Sequence, residues 1–452
     1  MCGIAGATGI DSRALVNKML DVIKHRGPDG RESVSLGGIT LGSVLLGITG
    51  SRPQPLLNES TLVYNGEIYN FREIAEGLGI TTDSDSEALF ALLDSKGLDE
   101  AINELDGDYA FAYSRNGELH LCRDPAGVKP LYYSSSHELF AFASEKKALS
   151  AIGMKEIHAL KPGHILSYRA GKIAKNRAVG FKTGAKITDE SAVSKALYGA
   201  IEQAVKKRCH TPCAISFSGG LDSSLIAALC NDAELYSVGM AGSHDLSQTR
   251  KAAHLLGLED KLRLHELTID EVESALPQVI KAIESPDPLM VSIAMPLFFA
   301  SRDAHANGIR VMLSGQGADE LFAGYKRYES MSPDELELAL RKDLDNIAEN
   351  NLERDDAVTM ANAVELRVPY LDRQVVELAL RIAPELKIHN GVRKYILRLA
   401  ARGILPDELA FKEKKAAQYS SGIYSALEKL AKKNGYSGER FLGRYLEECG
   451  AI

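Results

Sequence analysis

The chain has 452 residues, 45% of them hydrophobic and 25% charged, which is ample material for two or three globular domains. Its formal charge of −8 comes from 53 basic and 61 acidic side chains, with no long Lys/Arg run. That balance excludes a nucleic-acid or anionic-membrane footprint and favours small-molecule chemistry. The six cysteines form no framework of the secreted kind. No signal peptide opens the chain and no apolar run approaches the roughly 18 residues of a membrane span, so a cytoplasmic protein is expected.

The chain opens with "MCGIAG", in which a cysteine directly follows the initiator methionine. Cys2 could be the buried end of an N-terminal strand. Alternatively, once Met1 is removed, it carries a thiol (pKa about 8.5) and an α-amine (pKa about 8) on one residue, so the amine can serve as base for its own nucleophile. Up to about residue 170 the pattern is one of short period-two strands, as in "YAFAYSRNGELHLCRD", "LFAFAS" and "HILSYR", which predicts antiparallel sheets. Residues 170–188, rich in glycine and lysine, read as a surface connection. Beyond them a helix over 189–208 precedes "CAISF", and strands then alternate with helices, as a parallel sheet requires. The charged stretch from Ser332 to Asp356 reads as solvated helix.

The strongest chemical signal is "SFSGGLDSSLIA" at 216–227, a strand running through two glycines into a helix. Gly219 and Gly220 let backbone N–H groups approach an anion. The helix start adds its positive end, and Ser218, Ser223 and Ser224 can donate. Asp222 inside such a cradle would repel a phosphate unless a cation lay between them, so the pattern asks for Mg²⁺. A second strand end, "VMLSGQGADELFAGY", repeats the theme with Ser314, Gly315, Gly317, Asp319 and Glu320. Ordinary strand-to-helix turns with capping Asp and Ser remain the alternative for either stretch alone.

Eight stretches in this order carry a family resemblance: "MCGIAG", "HRGPDG" (25–30), "YNGEIYN" (64–70), "SDSE" (84–87), "RDPAGVKPLYY" (123–133), "SGGLDSS" (218–224), "SGQGADELFAGY" (314–325) and "ELRVPYLD" (365–372). The chain resembles the glutamine-hydrolysing asparagine synthetases. The resemblance implies an α+β N-terminal four-layer αββα sandwich of the Ntn-hydrolase kind over 1–175. It also implies an α/β ATP-pyrophosphatase domain with a parallel sheet, like the adenine nucleotide alpha hydrolases, over 189–452. Glutamine, ATP and aspartate are the implied substrates, with Mg²⁺ as the metal, no nucleic acid or membrane partner, and a homodimer as an assembly to be allowed for. Cys2 would attack the glutamine amide, Asn65 and Gly66 would form the oxyanion hole, and Glu67 and Asp85 would hold the α-amino end. Ser218, Gly219, Gly220, Asp222, Ser223, Ser314, Gly315 and Gln316 would surround the pyrophosphate. Val238 and Gly239 would seat the adenine, Asp222 and Asp319 would hold the metal, and Lys414 or Lys415 would stabilise adenylate formation.

Three positions depart from the family pattern. Where the family has L-G-H-x-R-L, the chain has Ile48 and Gly50 in a shortened loop, leaving Arg52 as the nearby cation for the glutamine α-carboxylate. In S-G-E-G-[SA]-D-E the glutamate becomes Gln316, which cannot accept a proton as a carboxylate does. If that glutamate acts as a base, this chain does without it or uses another acid. The same chemistry on another carboxylic acid, or a nucleotide-binding regulatory relative, therefore stays open. Cys209 and Cys213 with His210 make a weak metal pattern, for which burial is the expectation, and Cys122 reads as structural.

Overall fold

The structure is a computed structural model that describes residues 2–451 apart from 51, 137–138, 170, 231 and 413–420. The chain forms two compact units, Met1–Phe181 and Lys182–Ile452. Among the described residues no helix is long and apolar enough to cross a membrane.

The first unit contains β1 (Cys2–Thr8), β2 (Gly30–Leu36), β3 (Ile39–Leu45), β4 (Leu56–Leu57), β5 (Ser60–Ile68), β6 (Gly107–Arg115), β7 (Glu118–Arg123), β8 (Tyr132–Ser135), β9 (Phe140–Ala143), β10 (His158–Ala159), β11 (His164–Arg169) and β12 (Lys172–Ala178). They build two six-stranded sheets, ordered β10-β8-β9-β1-β3-β2 and β12-β11-β7-β6-β5-β4. Alternation along each strand produces the layers. In β6, Ala110 and Ala112 fill the space between the sheets, while Tyr109, Phe111 and Tyr113 point outward under the helices Phe71–Leu78 and Asp85–Lys96. In β1, Cys2 and Ile4 face the second sheet, and Ala5 and Ala7 face the helix Ser12–Val22. The result is the expected four-layer sandwich with small residues where the sheets approach. Part of the expected connection is strand: Lys172–Ala178 pairs antiparallel with β11 as an edge. A lysine-bearing polar sequence without apolar alternation is what an edge strand tolerates.

The buried charge near β1 is matched. Arg26 is fully enclosed; its Nη1 donates to Glu145 Oε1 at 3.0 Å and its Nε reaches Cys2 O at 3.5 Å. His25 lies 3.0 Å and Lys147 2.8 Å from the same carboxylate. Burial alone would raise the pKa of Glu145, but these three cations outweigh it and hold the group well below the usual carboxylate range.

The second unit holds a parallel sheet of β13 (Ala214–Ser216), β14 (Glu234–Met240), β15 (Leu262–Leu267), β16 (Val311–Leu313) and β17 (Glu365–Arg367), ordered β15-β14-β13-β16-β17. The chain winds from β13 outward to β15, then returns to the other side of β13 for β16. Adjacent strands whose connections leave in opposite directions open a crevice at their carboxyl ends. Both glycine turns noted in the sequence lie at that crevice.

The helix expected at 189–208 runs over Glu190–Arg208, with Asp189 accepting from Ala192 N at 3.0 Å as its cap. The stretch read as solvated helix is only partly so. Pro333–Asp345 starts at a Ser332/Glu335 capping box and buries Leu336, Leu340 and Leu344, while Glu353–Met360 buries Arg354, Asp355 and Asp356. An i, i+4 leucine stripe accounts for the first helix, and internal charge pairing accounts for the second.

Glu145→Gln would leave Arg26 buried without its counter-charge, a loss of about 3 kcal/mol or more. The expected outcome is amide hydrogen exchange in β1 faster by about two orders of magnitude, with the second unit's exchange unchanged.

Candidate active sites

Asn65, Gly66 and Glu67 are consecutive on β5, and β5 is held by β6 with Asn65 opposite Ala110 and Gly66 opposite Tyr109. Only glycine fits at 66, because a Cβ there would stand 2.2 Å from Asp108 O. Cys2, 2% exposed, donates its N–H to Asn65 Oδ1 at 3.1 Å. Asn65 Nδ2 is buried and has no hydrogen-bond partner among the described residues. A donor held beside a thiol and left unpaired is suited to an oxygen that becomes negative during the reaction. Gln54 completes this wall: its Nε2 lies 3.7 Å from Cys2 Sγ, and its Oε1 accepts from Tyr64 N at 2.7 Å.

Glu67 and Asp85 line the same cleft as Cys2. Thr49 Oγ1 donates to Glu67 Oε1 at 2.7 Å. Asp85 Oδ2 accepts from Tyr64 OH at 2.8 Å and from Ile68 N at 3.1 Å. Burial, and then the neighbouring Glu67 charge, push the Asp85 carboxyl up to about 7. Two buried carboxylates side by side make this end of the cleft suited to an ammonium. Arg52 also borders the cleft, but its side chain is 49% exposed and its guanidinium sits 3.1 Å from Glu87 and 3.7 Å from Asp83. Gly50 has φ +50°, and a Cβ there would lie 2.5 Å from Asp83 O, so no side chain can stand in this loop at that point.

In the second unit the turn after β13 is closed by its own hydroxyls. Ser218 Oγ and Ser223 Oγ are 3.1 Å apart, and Gly220 N lies 3.4 Å from Ser218 Oγ. The turn after β16 abuts it so closely that a Cβ on Gly315 would stand 3.0 Å from Asp222 Cβ. Asp222 and Asp319 are joined by a residue the sequence did not flag. Lys394 Nζ lies 2.8 and 2.7 Å from the two Asp222 oxygens and 2.6 Å from Asp319 Oδ1, and the side chain is 3% exposed. Burial would lower the pKa of Lys394, but the two carboxylates more than compensate and raise it. Tyr370, in the "ELRVPYLD" stretch, donates to Asp222 O at 3.1 Å, and Lys412 Nζ reaches Gly219 O at 3.4 Å.

Beside these turns lies a cleft of about 180 Å³ bordered by Ser218, Val238, Ser314, Gln316 and Asp355. Val238 borders it, whereas Gly239 backs onto Ser243, whose Oγ would be 2.8 Å from a Cβ. Gln316 Nε2 donates to Asp355 Oδ2 at 2.6 Å. Lys414 and Lys415 lie outside the described residues. Among the described residues no group of three His, Cys, Asp or Glu side chains is placed to hold a metal. Cys213 is buried with its Sγ 3.6 Å from that of Cys230, while Cys209 is only partly buried at the end of its helix. Cys122 is buried in β7.

Residues 1–158 match the family described as "Glutamine amidotransferase domain", and residues 196–337 and 328–437 match that described as "Asparagine synthase". Fold and matches together define a two-domain glutamine amidotransferase. The chain is 36% identical to a Methanocaldococcus jannaschii protein named putative asparagine synthetase [glutamine-hydrolyzing] 1, over 97% of both chains. It is 31% identical to a probable asparagine synthetase [glutamine-hydrolyzing] of Dictyostelium discoideum, over 98% of this chain and 89% of that one. It is 28% identical to asparagine synthetase [glutamine-hydrolyzing] 1 of Bacillus subtilis, over 92% and 86%. The chain belongs to the glutamine-hydrolysing asparagine synthetase family.

Two outcomes follow from the geometry. If Asp85 receives the glutamine ammonium it does so only when ionised, so with its carboxyl pushed up to about 7 the kcat/KM for glutamine hydrolysis should rise about tenfold from pH 6 to pH 8. Asp85→Asn should lack that limb, and a limb that survives the substitution would assign it to another group. Lys394→Ala should leave two close carboxylates without their shared cation. Pyrophosphate release is then expected to fall at least 100-fold while glutamine hydrolysis stays within twofold, in a two-substrate steady-state assay.

Proposed function

We propose that the protein makes asparagine, hydrolysing glutamine at Cys2 and amidating aspartate at the crevice of the second unit with ATP. The observation that carries the reading is the buried, unpaired Asn65 Nδ2 beside the Cys2 thiol. Family membership over nearly the full length supplies the reaction.

With Met1 removed, the α-amine of Cys2 takes the thiol proton and Sγ attacks the side-chain amide carbon of glutamine. Negative charge then gathers on the amide oxygen, where Asn65 Nδ2 and Gly66 N–H receive it. An essential donor of this kind is worth about 3 to 4 kcal/mol. The C–N bond breaks, ammonia leaves with the returned proton, and water releases glutamate from the thioester. Glu67 and Asp85 face the substrate's ammonium, and Arg52 faces its carboxylate after exchanging Glu87 for the ligand.

In the second unit the aspartate β-carboxylate attacks the α-phosphorus of ATP and pyrophosphate leaves. Ser218, Gly219, Gly220 and Ser223 hold the departing group with their N–H and O–H donors. Ser314 and Gly315 close the other side, and Val238 borders the base. Asp222 and Asp319 fit Mg²⁺ by the chemistry of their donors: they would hold it with two hard carboxylate oxygens brought together at the crevice. When bound, that ion neutralises phosphate charge. Lys394 keeps the two carboxylates in place before the nucleotide arrives.

Cys2→Ala should abolish glutamine hydrolysis and leave aspartate-dependent pyrophosphate release with ammonium chloride within about twofold of the parent. Pyrophosphate release measured across a panel of carboxylic acids identifies the acceptor. Release with another acid and none with aspartate would overturn the asparagine reading, and release with no acid would favour a regulatory relative.

A further inference from the structure

The carboxylate that the family pattern places at position 316 is missing here, yet the site is not without one. Gln316 turns its amide nitrogen onto Asp355 Oδ2 at 2.6 Å. Asp355 comes from a different element, the helix Glu353–Met360, and is 2% exposed. Its other oxygen, Oδ1, accepts from Arg354 Nε at 2.8 Å and Nη2 at 2.7 Å. A carboxylate offers about four acceptor directions, and these three contacts leave one open. Asp355 borders the same cleft as Ser218, Val238 and Ser314. Among the described residues lining that cleft, the only other charged side chain is Asp245, at the first turn of the helix His244–Leu256.

We propose that Asp355 is the catalytic carboxylate of amide formation, receiving a proton from the attacking nitrogen, and that Gln316 is the residue that positions it. This rests on the asparagine-forming reading above. The lone pair of ammonia forms a bond to the acyl carbon of the aspartyl adenylate, and the carbonyl π pair moves onto oxygen. The new C–NH₃⁺ group is far more acidic than free ammonium, and it passes one proton to Asp355 Oδ2. The carbonyl re-forms, the acyl C–O bond to AMP breaks with its electron pair leaving on AMP, and the product is the neutral amide. Asp355 then returns its proton to solvent. A glutamine at 316 is suited to this because its N–H₂ fixes the carboxylate without competing for the proton.

The test uses the full-length protein in three forms: Asp355→Asn, Gln316→Glu, and both together. Aspartate-dependent ATP–pyrophosphate exchange reports adenylation and needs no nitrogen source, whereas asparagine formed from ammonium chloride reports the nitrogen step. Asp355→Asn is expected to keep exchange within about threefold and to lose at least 100-fold in asparagine formation, the usual contribution of a positioned base. The double variant restores a carboxylate from the other side and should regain at least tenfold over Asp355→Asn. Gln316→Glu alone sets two carboxylates against each other, so its asparagine-formation profile should move to higher pH by about one unit or more. That measurement decides the matter even if Asp355→Asn does not fold. An unshifted profile would overturn the proposal. So would an Asp355→Asn protein that loses exchange and asparagine formation equally, or keeps both, since either makes Asp355 a support for the acceptor or a bystander. If the unmodified protein shows no aspartate-dependent exchange, the asparagine reading fails and this inference fails with it.

Discussion

One ammonium group, Lys394 Nζ, holds the crevice of the second unit together. It stands between Asp222, on the helix after β13, and Asp319, on the helix after β16. Two carboxylates this close repel, and burial raises the cost of each. The lysine offsets that repulsion where the two turns approach as closely as Gly315 does the Asp222 Cβ. Burial, and then the Asp222 and Asp319 charges, raise the Tyr370 pKa well above its usual value, so the phenol remains a donor to Asp222 O. On the proposed reading, phosphate chemistry takes place on a preformed platform of two carboxylates and one ammonium that keeps a net negative charge for a metal ion.

The first unit handles its acids in two ways. Glu145 is met by His25, Lys147 and Arg26 and sits at the base of β1, where a fixed ion pair sets the strand that carries Cys2. Glu67 and Asp85 have hydroxyl and N–H donors, and it is burial and mutual repulsion that raise Asp85. Two neighbouring buried acids attract a ligand that brings an ammonium. On the proposed reading glutamine brings that charge, and its α-amino end is what the pair receives.

Much of this was legible in the sequence because it rests on local patterns. The period-two runs gave both antiparallel sheets, the strand-helix alternation gave the parallel one, and the two glycine turns marked the crevice. What escaped was whatever depends on contacts distant in the chain. Lys394 lies 172 residues from Asp222 and reads, in "GVRKYILRLA", as an ordinary basic helix start. Asp355 sits in a charged stretch whose composition suggests solvent, and only the packing of its helix shows that Arg354, Asp355 and Asp356 are buried. Gln54, in "RPQP", reaches Cys2 only through the way the loop closes. The edge strand β12 was missed because an edge needs no apolar alternation.

The departures from the family pattern bear on whether the chain has lost its activity or rearranged it. Loss of a functional carboxylate by drift would leave its former partners exposed to the cost of unpaired buried groups. That is not what surrounds Gln316: its amide nitrogen is on Asp355, and Asp355 is itself held by Arg354. Nor is Gly50 a truncated arginine in an otherwise intact loop. Its backbone packs against Asp83 and Ser84 where any side chain would collide, so the loop has closed over the position, and Arg52 is the neighbouring cation at the cleft. In both places a second charged residue borders the same cleft: Asp355 beside Gln316, and Arg52 near Gly50. On the proposed reading, Asp355 and Arg52 supply at these two places the charges that Gln316 and Gly50 do not.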